Sequence, residues 1–223
     1  MALIDNLISE GYLKTPRIIE AFRKIKRKDF LPEEMKEFAE LNEALPIGSG
    51  QTISQPLVVA FMLELLEPGA GDKILDIGFG SGWTTALLAE IVGEKGRVVG
   101  IELVPELKEF GEGNIRKYNF IEKGRVECIL GDGSRGIKKE APFDKILASA
   151  TLAAAKGGKE DLSSLTAARE LPKSWKKQLK VGGRIVAPIA SSIWLFVKKG
   201  EEEFTEREYP GFVFVPLIEG QRG

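Results

Sequence analysis

From Asp72 onward, short apolar runs alternate with segments of helical periodicity, and this alternation limits the fold more than any other feature. "KILDIG" reads as a buried strand and "GWTTALLAEIVG" as a helix ended by Gly93. "GRVVGIEL" is the next strand, and "PELKEFGEGNIRKYN", opened by Pro105, the next helix. "RVECILGD" and "FDKILASA" follow as strands, then "PKSWKKQLK" as a helix. "GRIVAPI", "SIWLFVKK" and "YPGFVFVPL" bring the strands to seven. Strands alternating with helices indicate an α/β protein with a doubly wound, mostly parallel sheet. The last three strands lack helices long enough to connect them in parallel, so the C-terminal edge is expected to turn antiparallel.

The first 55 residues have a different character. "ALIDNLISEGYL" and "TPRIIEAFRKIKRK" read as short helices, the second with Thr15 as N-cap and Pro16 at its first position. Its basic run, Arg23 to Lys28, sits among Ile18, Ile19, Phe22 and Ile25 at helical spacing. That pattern predicts the solvated face of an amphipathic helix. "ALPIGSGQTISQP", Ala44 to Pro56, follows; its glycines and prolines exclude a core strand or a helix. By composition alone it is a linker. "PLVVAFMLELLE" then reads as a helix starting at Pro56, with Ser54 or Gln55 near its cap. The expected organisation is an N-terminal segment over 1–55 and a main domain over 56–223, forming one compact unit. One further stretch, "LAAAKGGKEDLSSLTAA" from Leu152 to Ala168, is far longer than the ~2–6 residues usual between a strand and a helix.

Composition removes several chemistries. Thirty-two basic and 33 acidic residues leave a net charge of −1 in 223 residues. Sequence-independent nucleic-acid binding needs a basic surplus, so no nucleic-acid partner is expected. No apolar run approaches a membrane span, and no signal peptide is evident. Histidine is absent, which excludes Ser-His-Asp and Cys-His catalysis and a His general base. A single cysteine, Cys128, leaves no internal disulfide and no basis for a zinc site. A buried strand position in a cytoplasmic protein, with no metal, is the expectation.

The chemistry concentrates at strand ends. "ILDIGFGSGWTTALLAE" runs from a strand through a glycine turn into a helix, which lets backbone approach a ligand closely. Glu102 ends the next strand, roughly 20 residues on, where an acid accepts hydrogen bonds from ribose hydroxyls. Asp132, in "LGDGS", ends the strand after that. Three successive carboxyl ends of parallel strands therefore carry Asp76 to Gly80, Glu102 and Asp132, the place where ligands bind in open α/β sheets. A dinucleotide turn wants Gly or Ala where this chain has Trp83 or Thr85, and Asp76 would repel a diphosphate. S-adenosylmethionine, which carries a sulfonium and an ammonium, suits acidic surroundings instead.

"ILDIGFGSGW", "GIEL", "LGDGS", "APFD" and "QLKVGGRIVAPI" resemble the successive motifs of class I S-adenosylmethionine-dependent methyltransferases, whose fold is Rossmann-like. "TPRIIEAFRKIKRKDFLPEE", "LPIGSGQTISQP" and "FVFVPL" are similar to the flanking motifs of the protein-L-isoaspartate O-methyltransferase family. The resemblance implies methylation of the free carboxylate of L-isoaspartyl residues in damaged proteins. It places Asp76, Gly78 and Gly80 at the methionine end of the cofactor, Glu102 with Leu103 at the ribose, and Asp132 and Gly133 at the adenine. It places Ser54, the catalytic candidate, between cofactor and substrate carboxylate, with Thr52 and Ile53 shaping that wall. Ala150 and Val215, Pro216 and Leu217 would border the substrate backbone. The implied partners are isoaspartyl peptides and proteins, met by a monomer. A substrate carboxylate is ionised at neutral pH and is itself the nucleophile, so the missing histidine is no obstacle. The chain departs from the family pattern at Glu40, Asn42, Ser49, Trp83 and the Leu152 to Ala168 stretch. A methyltransferase with another acceptor, such as a modified peptide or tRNA, and a non-catalytic binder of cofactor or damaged chains remain alternative readings.

Overall fold

The computed structural model describes residues 2–150, 171–212 and 214; the Leu152 to Ala168 stretch and Val215, Pro216 and Leu217 lie outside the described residues. Two helices open the chain, α1 (Ala2–Ser9) and α2 (Pro16–Lys24). Short 3-10 turns follow at Arg27–Phe30 and Glu33–Phe38. Strands β1 (Leu45–Gly48) and β2 (Gln51–Ile53) precede α3 (Pro56–Leu66). Then come β3 (Lys73–Ile77), α4 (Trp83–Val92), β4 (Arg97–Glu102), α5 (Pro105–Arg116) and β5 (Val126–Leu130). The chain continues through β6 (Phe143–Ala148), α6 (Lys173–Gln178), β7 (Leu179–Ile189), β8 (Ser192–Lys198) and β9 (Phe204–Pro210).

Seven strands form one sheet in the order β5-β4-β3-β6-β7-β8-β9. Strands β3 to β7 pair in parallel, whereas β7–β8 and β8–β9 are antiparallel, as the lack of connecting helices requires. Alternate residues of each strand enter opposite layers. Ile74, Val98, Leu147 and Val186 join one core with α2 to α5; Leu75, Ile77, Val99, Ile146 and Ile185 join another around Trp175 of α6. Leu7, Leu13, Ile18, Phe22 and Phe30 of the N-terminal segment belong to the same core as Trp83 and Leu87 of α4. Among the described residues, no helix is long and apolar enough to cross a membrane.

Three details differ from the sequence reading. The seventh strand of the sheet is Phe204–Pro210, which overlaps the expected "YPGFVFVPL" only at Tyr209 and Pro210; Val213, Val215, Pro216 and Leu217 of that run lie outside the described residues. Its Thr205, Glu206, Arg207 and Glu208 are exposed on the sheet edge, so the true strand carries little hydrophobic signal. Helix α2 stops at Lys24, with Ile25 extended, and Arg27 is buried rather than solvated. The Ala44 to Pro56 stretch is not an unstructured linker; it forms the β1–β2 hairpin, pairing Leu45 with Ile53 and Pro46 with Thr52. Ser49 takes φ 50° between Gly48 and Gly50 at its tip.

Candidate active site

A cleft opens at the carboxyl ends of β3, β4 and β6. Strand β3 pairs with β4 on one edge and with β6 on the other, and the chain reaches β6 only after building β5. The order reverses at β3, which is where such sheets leave a crevice. The ladder runs on past the strands, with Gly78 N donating to Ile101 O at 2.8 Å and Ser149 N donating to Ile77 O at 2.9 Å.

The turn between β3 and α4 forms the base. Gly78 has φ 73° and Gly80 φ 49°, conformations that a Cβ disfavours. Helix α5 grips this turn from behind. A Cβ at Gly111 would overlap the Gly80 carbonyl oxygen and lie 2.8 Å from the Phe79 ring. Asn114 Nδ2 donates to Ser81 O at 3.0 Å.

Glu102 projects from the end of β4 and is buried at 7% exposure. One carboxylate oxygen accepts from Gly80 N at 2.9 Å; the other accepts from Leu103 N at 2.8 Å and Val104 N at 3.1 Å. These bonds fix the carboxylate and join β4 to the glycine turn. A carboxylate has about four lone-pair sites, so acceptor capacity remains. Gly133 lines the cleft beyond β5. Its position is set by α6: the Trp175 indole donates to Gly133 O at 2.8 Å, and Ser174 Oγ donates to Ser134 O at 2.8 Å.

The opposite wall is the β1–β2 hairpin. Ile47, Gln51, Thr52, Ile53 and Ser54 all line the cleft. Ile47 reaches the glycine turn, within 3.4 Å of where a Gly80 Cβ would stand. The Ser54 hydroxyl makes no hydrogen bond with the described residues, whereas the Ser54 carbonyl accepts from Arg27 at 3.3 Å. The Arg27 guanidinium also donates to Ala39 O at 3.1 Å, Leu41 O at 3.0 Å and Glu43 O at 2.6 Å. It lies 5.5 Å from the centroid of the Trp83 ring. Burial lowers its pKa to about 10, still far above neutrality. Asn42 Oδ1 accepts from Leu57 N at 3.0 Å, capping the first turn of α3 in place of Gln55, whose own side chain donates to Asn42 O.

The protein-L-isoaspartate(D-aspartate) O-methyltransferase family model matches residues 1–222. The chain belongs to that family. It is 39% identical over 225 residues to the protein-L-isoaspartate O-methyltransferase of Methanopyrus kandleri, covering 99% of this chain and 91% of that one. The enzyme of the same name from Ignicoccus hospitalis is 39% identical over 222 residues, with 97% and 96% covered. In three dimensions the chain matches a solved protein-L-isoaspartate O-methyltransferase with a TM-score of 0.81 and 26% identity, covering 96% of this chain and 64% of that one. A Plasmodium falciparum structure described as a beta-aspartate methyltransferase, in complex with S-adenosyl-L-homocysteine, shares the fold at TM-score 0.82 and 21% identity, with 98% of both chains covered.

For this member of the protein-L-isoaspartate O-methyltransferase family, the cleft gathers Thr52, Ile53, Ser54, Gly78, Gly80, Glu102, Leu103, Gly133 and Ala150. Two acids named from the sequence, Asp76 and Asp132, adjoin the lining of the cleft without being part of it. Asp76 does not line the cleft: it is fully buried, its carboxylate accepting from Thr85 Oγ1 at 2.6 Å and lying 3.5 Å from Ser149 Oγ. The pleat decides this, since Asp76 shares the Ile74 face of β3 and points toward α4. Burial raises its pKa to about 7, opposed by those two hydroxyls. Asp132 also stays outside the lining; it caps the turn that presents Gly133 by accepting from Ser134 N at 2.9 Å. The structure adds Ile47, Phe79, Ser81, Thr84, Leu107 and Ser149 to the cleft. Ser81 and Thr84 had a visible signal, since both directly follow the glycine turn; Leu107, one turn into α5, had none.

Proposed function

We propose that this chain transfers a methyl group from S-adenosylmethionine to the free carboxylate of L-isoaspartyl residues in damaged proteins and peptides. One observation carries the reading: across a single cleft, the anchored Glu102 carboxylate is accompanied by the Ser54 hydroxyl, which is unbonded among the described residues, just past the hairpin. The cleft also fits the charge of the methyl donor. No lysine or arginine occurs among its described lining residues, and Glu102 is its one carboxylate. A pyrophosphate would find no cation there, whereas a sulfonium finds a favourable field.

S-adenosylmethionine, when bound, supplies an electrophilic methyl group. Glu102 would accept the ribose hydroxyls, with Leu103 beside it. Gly78 and Gly80 would admit the methionine end between turn and hairpin, because neither carries a side chain. Asp76 would act from beneath the turn as a buried acid. Gly133, held by Trp175 and by the Asp132 cap, would border the adenine. Ser54 would donate to one oxygen of the substrate carboxylate and orient the other. Thr52 and Ile53 would fix the hairpin around it and exclude water. Ala150, with Val215, Pro216 and Leu217, would meet the substrate backbone. This reading takes the chain as a cytoplasmic monomer without a nucleic-acid partner, and its near-zero net charge supports the last point.

The test is methyl transfer to an isoaspartyl peptide compared with its normal aspartyl twin, followed by methanol release from the labile ester. Transfer to the isoaspartyl peptide alone is expected. Donor binding by calorimetry without transfer to either peptide would overturn the reading.

A further inference from the structure

The polar side chains that line the cleft differ in what they have left to offer. On the sheet side three are already engaged. Glu102 holds three backbone N–H groups, Ser81 Oγ accepts from Trp83 N at 3.4 Å, and Ser149 Oγ faces the buried Asp76 carboxylate at 3.5 Å. On the opposite wall, the side chains of Gln51, Thr52 and Ser54 bond to none of the described residues. The methyl-transfer reading gives Ser54 the substrate carboxylate and Thr52 a place in the wall. It gives Gln51 no task.

The main chain beneath Gln51 is fixed. Gln51 pairs with Gly48 across the tip of the hairpin. Ser49 (φ 50°) and Gly50 (φ 69°) make the turn, both at positive φ, as tight hairpin turns favour. The Gln51 side chain is half-buried in the cleft wall. Its amide differs from the hydroxyls beside it. A hydroxyl rotates to donate or accept, whereas the amide presents a donor on one atom and an acceptor on the other. The matching group on a polypeptide is one residue of an extended chain, whose own N–H and C=O point to the same side. An anion or a cation would satisfy only half of the amide. Spacing agrees with this. Gln51 and Ser54 are three residues apart along β2 and its continuation, a span of about 10 Å in extended chain. Substrate main chain within about three residues of a carboxylate held at Ser54 covers that span.

We propose that Gln51 is a specificity-determining residue whose side-chain amide pairs with the N–H and C=O of one residue flanking the isoaspartyl site. The cleft then reads polypeptide main chain as well as the free carboxylate. Because every residue but proline offers that N–H and C=O pair, the contact is indifferent to flanking side chains. The inference rests on the isoaspartyl methylation proposed above and names how that same site recognises its substrate.

The test uses the full chain, its Gln51→Leu variant and a set of isoaspartyl peptides. In each peptide one main-chain N–H, within about three residues on either side of the site, is replaced by an ester oxygen. For the parent chain, one of these esters is expected to raise KM by about three- to tenfold with kcat unchanged. Gln51→Leu should raise KM for the all-amide peptide by a similar factor and be insensitive to that ester. S-adenosylhomocysteine affinity, measured by calorimetry, should be equal in the two chains, which also shows that the variant is folded. A flat ester profile in the parent, an unchanged KM in Gln51→Leu, or an equal ester penalty in both chains overturns the proposal. So does a loss of S-adenosylhomocysteine affinity in Gln51→Leu, which would assign the amide to the donor. A parent chain that methylates no isoaspartyl peptide overturns the reaction itself, whereas methylation with a flat ester profile overturns this inference alone.

Discussion

The Arg27 guanidinium donates to the carbonyl oxygen of Ser54 at 3.3 Å, and through this bond the N-terminal segment holds the wall of the cleft. The same group binds three more carbonyls at 39, 41 and 43. Arg27→Met would leave four carbonyls without this donor. A stability loss on the order of 3–5 kcal/mol is expected in urea unfolding. Arg27→Lys keeps the charge but not the fork geometry. At a temperature where it stays folded, KM for an isoaspartyl peptide should rise several-fold while donor affinity holds. Equal loss of both would assign Arg27 to bulk stability alone.

Ser54→Ala removes a hydroxyl that has no partner among the described residues, so folding stability should change by less than about 1 kcal/mol. The expected effect is on turnover, with kcat down by about tenfold to a hundredfold and donor affinity nearly unchanged. Unchanged kcat on an isoaspartyl peptide would remove Ser54 from the reaction.

Glu102→Gln replaces one acceptor oxygen by a donor. Whichever way the amide turns, its NH2 faces backbone N–H groups, at Gly80 or at Leu103 and Val104. Donor affinity measured by calorimetry should fall by about tenfold to a hundredfold. Glu102→Asp, which keeps two acceptors on a shorter arm, should lose less.

Asp76 gives a pH signature. Its pKa is raised from 3.8 to about 7 by burial. Between these values the folded state holds a proton that the unfolded state has released, so this group's contribution to stability falls as pH rises from about 4 to 7 and is constant above. Asp76→Asn removes that slope. The stability difference between the variant and the parent chain, measured by urea unfolding from pH 4 to 8, should therefore shift in favour of the variant with rising pH and level off above about 7. A difference independent of pH would contradict the assigned titration.

Helix α5 contains two glycines that should answer oppositely to alanine. Nothing lies within 4 Å of a Cβ built at Gly113, so Gly113→Ala should stabilise the chain by about 0.5–1 kcal/mol. A Cβ at Gly111 would collide with the Gly80 carbonyl and the Phe79 ring. Gly111→Ala should push α5 off the glycine turn, lowering both melting temperature and donor affinity. Calorimetry with and without donor separates the two effects.

What could be read from sequence was local. The strand–turn–helix of residues 73–92, the acid at Glu102 and the antiparallel edge each follow from patterns within a few residues. What escaped was long-range or set by side-chain direction. Asp76 and Gly78 are two residues apart, yet the pleat and the turn send the Asp76 side chain toward Thr85 and leave Gly78 in the cleft. Arg27 sits in a basic run, and only the tertiary fold distinguishes it from its exposed neighbours Lys26 and Lys28. Gly111 looks like a weak spot in a helix until the turn 31 residues earlier is placed against it. Strand β9 is charged along an exposed edge, so its residues from Phe204 to Glu208 carried no apolar pattern to find them by.

The four bonds of Arg27 end on main-chain oxygens, and every amino acid supplies one of those. The anchor therefore does not read the identities of residues 39, 41, 43 and 54. Side chains at these positions can change while the wall stays where it is. Substrate preference can evolve on the cleft-facing side of such a wall without the fold having to be rediscovered each time.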